Sequence, residues 1–177
     1  MIGTQVEPQF EEYEAETLEI EEFEVDEPFT TISYARADKK RVYRLLKELQ
    51  KEFRVWCDIG IEDGDIWPEA VAGHIKKCSC VIVFLSPLAI ASQNVCEEIH
   101  YARTLNKEML IVFLEECQLT PGMEMRLGHI QSIMAYSGHG KMLPDNIVLN
   151  RLRKASRLQT SKKKVSTDAL SINRRDG

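Results

Sequence analysis

The chain predicts an α/β fold: a flavodoxin-like three-layer sandwich whose five-stranded parallel sheet runs in the order 2-1-3-4-5, with helices on both faces. Three observations point there. From residue 29 onward, short runs rich in β-branched and aromatic residues alternate with longer stretches of helical period. The run CSCVIVFLS is apolar without a break, as a strand covered on both faces must be. The 177 residues are 44% hydrophobic, enough for one sizeable core.

Taken in order, FTTISY is the first strand, and ARADKKRVYRLLKELQKE follows it with Val42, Leu45, Leu46 and Leu49 at helical spacing. FRVWCD is the second strand. The loop IGIEDGDIW comes next, and Pro68 then opens a helix with Glu69 in its first turn and Ala70, Val71 and Ile75 on its buried stripe. CSCVIVFLS is the third strand. In the helix after it, Val95, Ile99 and Ala102 fall at i, i+4, i+7 and form the buried stripe, while Glu97 points to solvent. EMLIVFLEE is the fourth strand and QSIMAY a weaker fifth, with a short helix over residues 123–127 between them. Residues 145–157 close the domain as a helix packing through Ile147, Leu149 and Leu152. Strands alternating with helices imply right-handed crossovers and a parallel sheet.

Charge divides the chain into three parts. Residues 1–28 carry eleven acids and no base, and residues 151–177 carry nine bases against two acids. The expected organisation is an acidic, disordered arm (1–28), a folded domain (29–157) and a basic, disordered tail (158–177). No apolar run approaches the roughly 20 residues of a membrane span. The acidic start lacks the pattern of a signal peptide, so a cytoplasmic location is expected. The five cysteines, at 57, 78, 80, 96 and 117, lie in or beside apolar runs and read as reduced, packed thiols. Cys78-x-Cys80 has neither zinc nor redox spacing, and His74, His100, His129 and His139 show no metal spacing, so no metal is expected. The basic tail could attract nucleic acid or an acidic membrane surface, but only unspecifically and in a salt-sensitive way. A solvated tail, or one that neutralises the acidic arm, is the expectation, with no specific nucleic-acid partner.

The strand order itself selects a site. In such sheets ligands bind at the carboxyl ends of the strands where the chain reverses direction, here between the first and third strands. That selects Ser33-Tyr34-Ala35-Arg36 and the segment from Ser86 onward, which leads to Glu98. Glu98 follows Val95 by three residues and precedes Ala102 by four, so its carboxylate projects from the border of the buried stripe. A charge placed there needs a partner or a role. The phosphate cradles GxGxxG and GxxxxGK[ST] and the hydrolase elbow GxSxG are absent. A response-regulator receiver is disfavoured because the third strand ends Phe84-Leu85-Ser86, without an aspartate. The loop over residues 58–67 is long for its place and carries four acids; loops of that kind usually have a function. Trp67 at its end either serves that function or packs the start of the next helix.

TISYARADK, RVWCDIGIEDGDIWPEAVAGHIKKCSCVIVFLSPLAIAS, NVCEEIHYA and LIVFLEE follow one another in this chain. In that succession it resembles a TIR (Toll/interleukin-1 receptor) domain of the bacterial type, in the NAD-cleaving branch, from about residue 29 to residue 157. The resemblance implies that Glu98 is catalytic, because Ser92 to Ile99 match the spacing of the family pattern S-x-W-x-x-x-E-[IL]. It also implies that Ser33, Tyr34 and Arg36 line the substrate pocket, that Ser92 and Asn94 lie near the glutamate, and that Trp67 contributes. The loop with Asp58, Gly60, Ile61, Gly64 and Asp65 would be the BB loop of TIR–TIR assembly. Asn94 stands where many members have tryptophan, and Thr31 where the usual F-I-S-Y has phenylalanine.

The implied function is an NAD+ hydrolase or cyclase that cleaves the nicotinamide–ribosyl bond on self-assembly, in bacterial defence or nucleotide signalling. NAD+ would be its substrate, with no cofactor, and its partners would be copies of itself and a separate sensor or TIR-containing protein. A lone carboxylate suits this reaction, because a cationic ring leaves as a neutral molecule and needs no general acid, unlike an ordinary glycoside. The alternative is a non-catalytic adaptor acting through TIR–TIR contacts, with Glu98 a surface charge on its own helix.

Overall fold

The computed structural model describes residues 26–58 and 67–164, apart from the side chain of Trp67. Within them β1 (Thr30–Ser33) leads through a 3-10 turn (Arg36–Asp38) into α1 (Lys39–Leu49), and β2 (Val55–Cys57) precedes α2 (Trp67–Lys77). β3 (Cys80–Leu85) is followed by two helices, α3 (Pro87–Ala91) and α4 (Gln93–Thr104). Then come β4 (Glu108–Phe113), α5 (Pro121–Leu127), β5 (Ser132–Met134), α6 (Asp145–Lys154) and a second 3-10 turn (Ser156–Ser161). The five strands pair in parallel in the order β2-β1-β3-β4-β5, as the alternation of the sequence predicts.

The period-2 pleat of β3 explains how both faces become core. Ile82 and Phe84 pack with α1 and α6, through Val42, Leu46, Val148 and Leu152. Val81, Val83 and Leu85 pack on the opposite face with α2 and α4, through Val71, Ile75, Val95 and Ile99. Helix starts are marked by short polar side chains and proline. Ser86 caps α3 ahead of Pro87, Ser92 caps α4, and Thr120 caps α5 ahead of Pro121. Asn106, with φ 51°, turns the chain out of α4 toward β4.

Four details depart from the sequence reading. α3 is an additional turn of helix between β3 and the helix that carries Glu98. Ala70 is only half-buried on α2, leaving Val71 and Ile75 to fill the core. α6 ends at Lys154, and its inward residues are Val148, Leu149 and Leu152, whereas Ile147 is 38% exposed. Val148 and Ile147 are adjacent apolar residues about 100° apart on the helix, and the sheet beneath selects the first.

The fourth departure is the boundary drawn at residue 157. Residues 156–163 form a strap across the amino ends of the strands rather than a disordered tail. Arg157 pairs with Glu108 at the start of β4, and the Thr160 hydroxyl lies 3.1 Å from that of Ser79 just before β3. Thr30 Oγ1 donates to Ser161 Oγ at 2.9 Å, both groups fully buried. Arg54 N–H donates to the Ser161 carbonyl and Lys163 N–H to the Glu52 carbonyl, each at 2.8 Å, so the strap also pairs with the chain entering β2. Leu158 is fully buried in the same cluster as Phe53 and Val55. The rest of the expected tail, from residue 165, and the arm before residue 26 lie outside the described residues. Glu27, at the end of that arm, pairs with Arg54.

Among the described residues no helix is long and apolar enough to cross a membrane, and no cluster of side chains could hold a metal ion. The five cysteines are unpaired.

Candidate active site

The carboxyl ends of β1 and β2 and the start of α4, which follows β3, border a cavity of about 120 Å³, with no residue of β3 in its lining. The chain leaving β1 contributes Tyr34 and Arg36, and α1 contributes Lys39 and Tyr43. β2 contributes Trp56 and Asp58, and α4 contributes Ser92, Asn94 and Glu98. Ile32 and Val71 supply apolar wall. Of the residues singled out from the sequence, Tyr34, Arg36, Asp58, Ser92, Asn94 and Glu98 therefore line one cavity, and Ser33 lies buried at its edge near Glu98. Gly60, Ile61, Gly64, Asp65 and the side chain of Trp67 lie outside the described residues.

Glu98 sits one turn into α4, on the half-buried border between Val95 and Ala102. Burial raises its carboxyl from the ordinary 4.5 to about 7. The Ser33 hydroxyl opposes that shift, while the charges of Asp58 and Glu97 add to it. Ser33 Oγ is close enough to act on the carboxyl as a dipole, yet at full hydrogen-bond geometry it has no partner among the described residues. Thr31 Oγ1, two residues earlier on the same face of β1, has none either. Glu97 is exposed and takes a hydrogen bond from Gln93 at 2.8 Å, away from the core.

The cavity walls are braced by bonds between distant parts of the chain. Tyr34 donates its hydroxyl to the Asp58 carbonyl at 2.8 Å and lies 3.2 Å from the Tyr43 hydroxyl. This anchors the loop at the point where it leaves β2. Burial, then the Tyr43 hydroxyl, drive the Tyr34 pKa far upward, so the phenol stays a donor. Ser86, at the end of β3, donates to Asp38 at 2.6 Å and accepts from Ala89 N–H at 3.0 Å. Its hydroxyl thus fixes both the turn that presents Arg36 and the start of α3. Ser86→Ala should lower stability by about 1–2 kcal/mol, measured by urea denaturation, because a cap and a charge-assisted bond are lost together. Burial, then Asp58, push the Cys57 thiol up to about 12, which removes it as a nucleophile at neutral pH.

Sequence reasoning missed Lys39, Tyr43 and Trp56. The signal for Trp56 was present in FRVWCD. Val55 and Cys57 face the α1 side of the sheet, so the residue between them faces α2 and the cavity. Lys39 and Tyr43 gave no such signal, because their positions follow from how α1 packs.

The sequence pattern of the TIR domain family matches residues 31–143, more than half of the chain. The chain belongs to the TIR domain family. TIR domains act in signal transduction, generally through contacts with other TIR domains. Among solved structures, this TIR domain is similar to the TIR domain of the Toll-related receptor TRR-2 from Hydra magnipapillata, at 17% identity and a TM-score of 0.44. That match covers 59% of this chain and 82% of the other. It is also similar to the CMP N-glycosidase BcmB from Clostridium botulinum, at 17% identity and a TM-score of 0.44, covering 70% of this chain and 98% of that one. No curated protein matches this TIR domain.

Proposed function

We propose that this TIR domain cleaves the nicotinamide–ribosyl bond of NAD+, with Glu98 as the catalytic carboxylate. The observation that carries this reading is the desolvated carboxyl of Glu98 in a cavity whose other side holds Arg36 and Lys39. As the bond from ribose C1′ to the ring breaks, its electron pair goes to the pyridinium nitrogen and neutral nicotinamide leaves. The ribosyl centre becomes positive. A carboxylate held in a poorly solvated site and facing that centre stabilises it strongly, because the anion is costly there until the cation forms. Water then adds at C1′ and loses its proton to Glu98 or to solvent, giving ADP-ribose; attack by a ring nitrogen of the same molecule gives a cyclic product instead.

The surrounding groups fit the rest of such a substrate. Arg36 and Lys39 offer two cations for a pyrophosphate. Ser33 Oγ is a buried hydroxyl beside Glu98 and would help orient the carboxylate. Self-assembly through TIR–TIR contacts would complete the site.

The test is direct. The purified full chain is incubated with NAD+, with and without a crowding agent, and nicotinamide is quantified by chromatography. Release that rises more steeply than protein concentration is expected. No release from protein shown to be assembled would overturn the enzymatic reading and leave the adaptor.

A further inference from the structure

The cavity is lined by three aromatic rings, and they are not equally available to a ligand. Tyr43 is 4% exposed and carries the Lys39 ammonium 5.1 Å above its ring. Tyr34 meets Tyr43 edge-on, with ring centres 6.0 Å apart, and its hydroxyl is committed to the Asp58 carbonyl. Trp56 is half-buried on the edge strand β2. One face of its indole stacks on His74, with centres 3.7 Å apart and planes within 7°. His74 is itself fixed, through Nδ1 at 2.8 Å from the Ala70 carbonyl and through edge contact with Phe29. The indole is thus braced on one face by His74, and the residue is part of the cavity lining.

Two short residues share its surroundings, one across the sheet and one across the cavity. Thr31 is the register partner of Trp56 across the β1–β2 ladder and is itself buried. Asn94, on the α4 side of the same cavity, is exposed and brings no ring.

Building on the NAD-cleaving reading, we infer that Trp56 is the stacking surface for the departing base and a specificity-determining residue that selects a cationic pyridinium over neutral bases. A flat cation is attracted to the face of an indole by the ring quadrupole, most strongly where water is excluded. That attraction holds for NAD+ and weakens once nicotinamide is neutral, so Trp56 favours substrate binding and product departure together. His74 holds one face of the indole and is a positioning residue.

Trp56 therefore acts on binding more than on the chemical step. Trp56→Leu should raise KM for NAD+ roughly tenfold with a much smaller change in kcat, as expected for loss of a contact made before the bond breaks. Trp56→Phe should keep most of the affinity, which separates loss of the ring from loss of packing. A second readout needs no turnover: equilibrium dialysis of 1-methylnicotinamide, a permanently cationic pyridinium, against the wild-type chain and both variants. The expected order of affinity is Trp, Phe, Leu, with neutral nicotinamide bound more weakly than the cation by the wild type. In a Trp67→Phe background Trp56 is the remaining tryptophan, and the cation should quench its fluorescence saturably.

Equal affinity of the folded Leu and wild-type proteins for 1-methylnicotinamide would overturn the inference, whether or not NAD+ is cleaved. Pyridinium binding that depends on Trp56 in a protein that releases no nicotinamide would instead retain the platform and remove the NAD-cleaving reading.

Discussion

Glu98→Gln should reduce nicotinamide release by roughly 100-fold or more while leaving a folded protein, as expected for a positioned catalytic carboxylate. The same substitution should make the fold more stable at neutral and alkaline pH. The two effects have one cause. In the folded chain the carboxyl keeps its proton up to about 7, whereas in the unfolded chain it would release it near the ordinary 4.5. Between those values the folded state binds more protons than the unfolded state, so the Glu98 contribution to stability falls as pH rises and is lost above about 7. Glutamine carries no charge to desolvate. Its advantage over glutamate should be small near pH 4.5 and full well above pH 7, at most on the order of 3 kcal/mol. Urea denaturation of both proteins at pH 5 and pH 8 measures it, beside the release assay. Activity of the wild type should rise with pH through about 7, because the anion is the working form. A glutamine variant that was both inactive and destabilised at pH 8 would make Glu98 a structural residue.

Leu158→Ala should lower stability by about 2–5 kcal/mol, the range for emptying a fully buried leucine site. A chain ended after Arg157 should lose more, because it also gives up the Ser161 and Lys163 backbone bonds to the chain entering β2 and the hydroxyl contact with Thr30. Denaturant midpoints of the full chain, the alanine variant and the shortened chain check both statements. A shortened chain as stable as the full one would mean that the strap only rests on the sheet. The comparison bears on any trimming to residue 157, the end of the folded domain suggested by charge and periodicity.

What made the sheet legible was period. β3 and, past Glu108, β4 are continuously apolar, the other strands are short runs with β-branched or aromatic residues, and α1 and α4 present their buried residues at helical spacing, so order and pairing followed from few alternatives. Glu98 was legible for the same reason: a carboxylate on the border of a buried stripe stands out against that period. The strap was not legible. Between Arg153 and Lys164 apolar residues are sparse and bases frequent, which reads as a tail, and the segment is held largely by backbone bonds and hydroxyls that hydropathy does not see. The link from Ser86 to Asp38 spans 48 residues and has no local signature. α6 failed in a third way, because Ile147-Val148-Leu149 offers two overlapping apolar faces and the choice belongs to the sheet beneath it.

The hydroxyl contact between Thr30 and Ser161 sets the first and last parts of the described fold side by side, at the pole opposite the cavity mouth. In a chain trimmed to residues 26–164, cargo attached at either end starts from that far pole, where Glu27 pairs with Arg54 and Lys163 N–H meets the Glu52 carbonyl. A fluorescent protein, a surface tether or an inducible dimeriser can be fused there without covering the cavity. Because Glu27 and Lys163 both contact the chain entering β2, a linker could also join the ends of such a trimmed chain, which could be reopened at a surface loop to give a permuted protein with the same core.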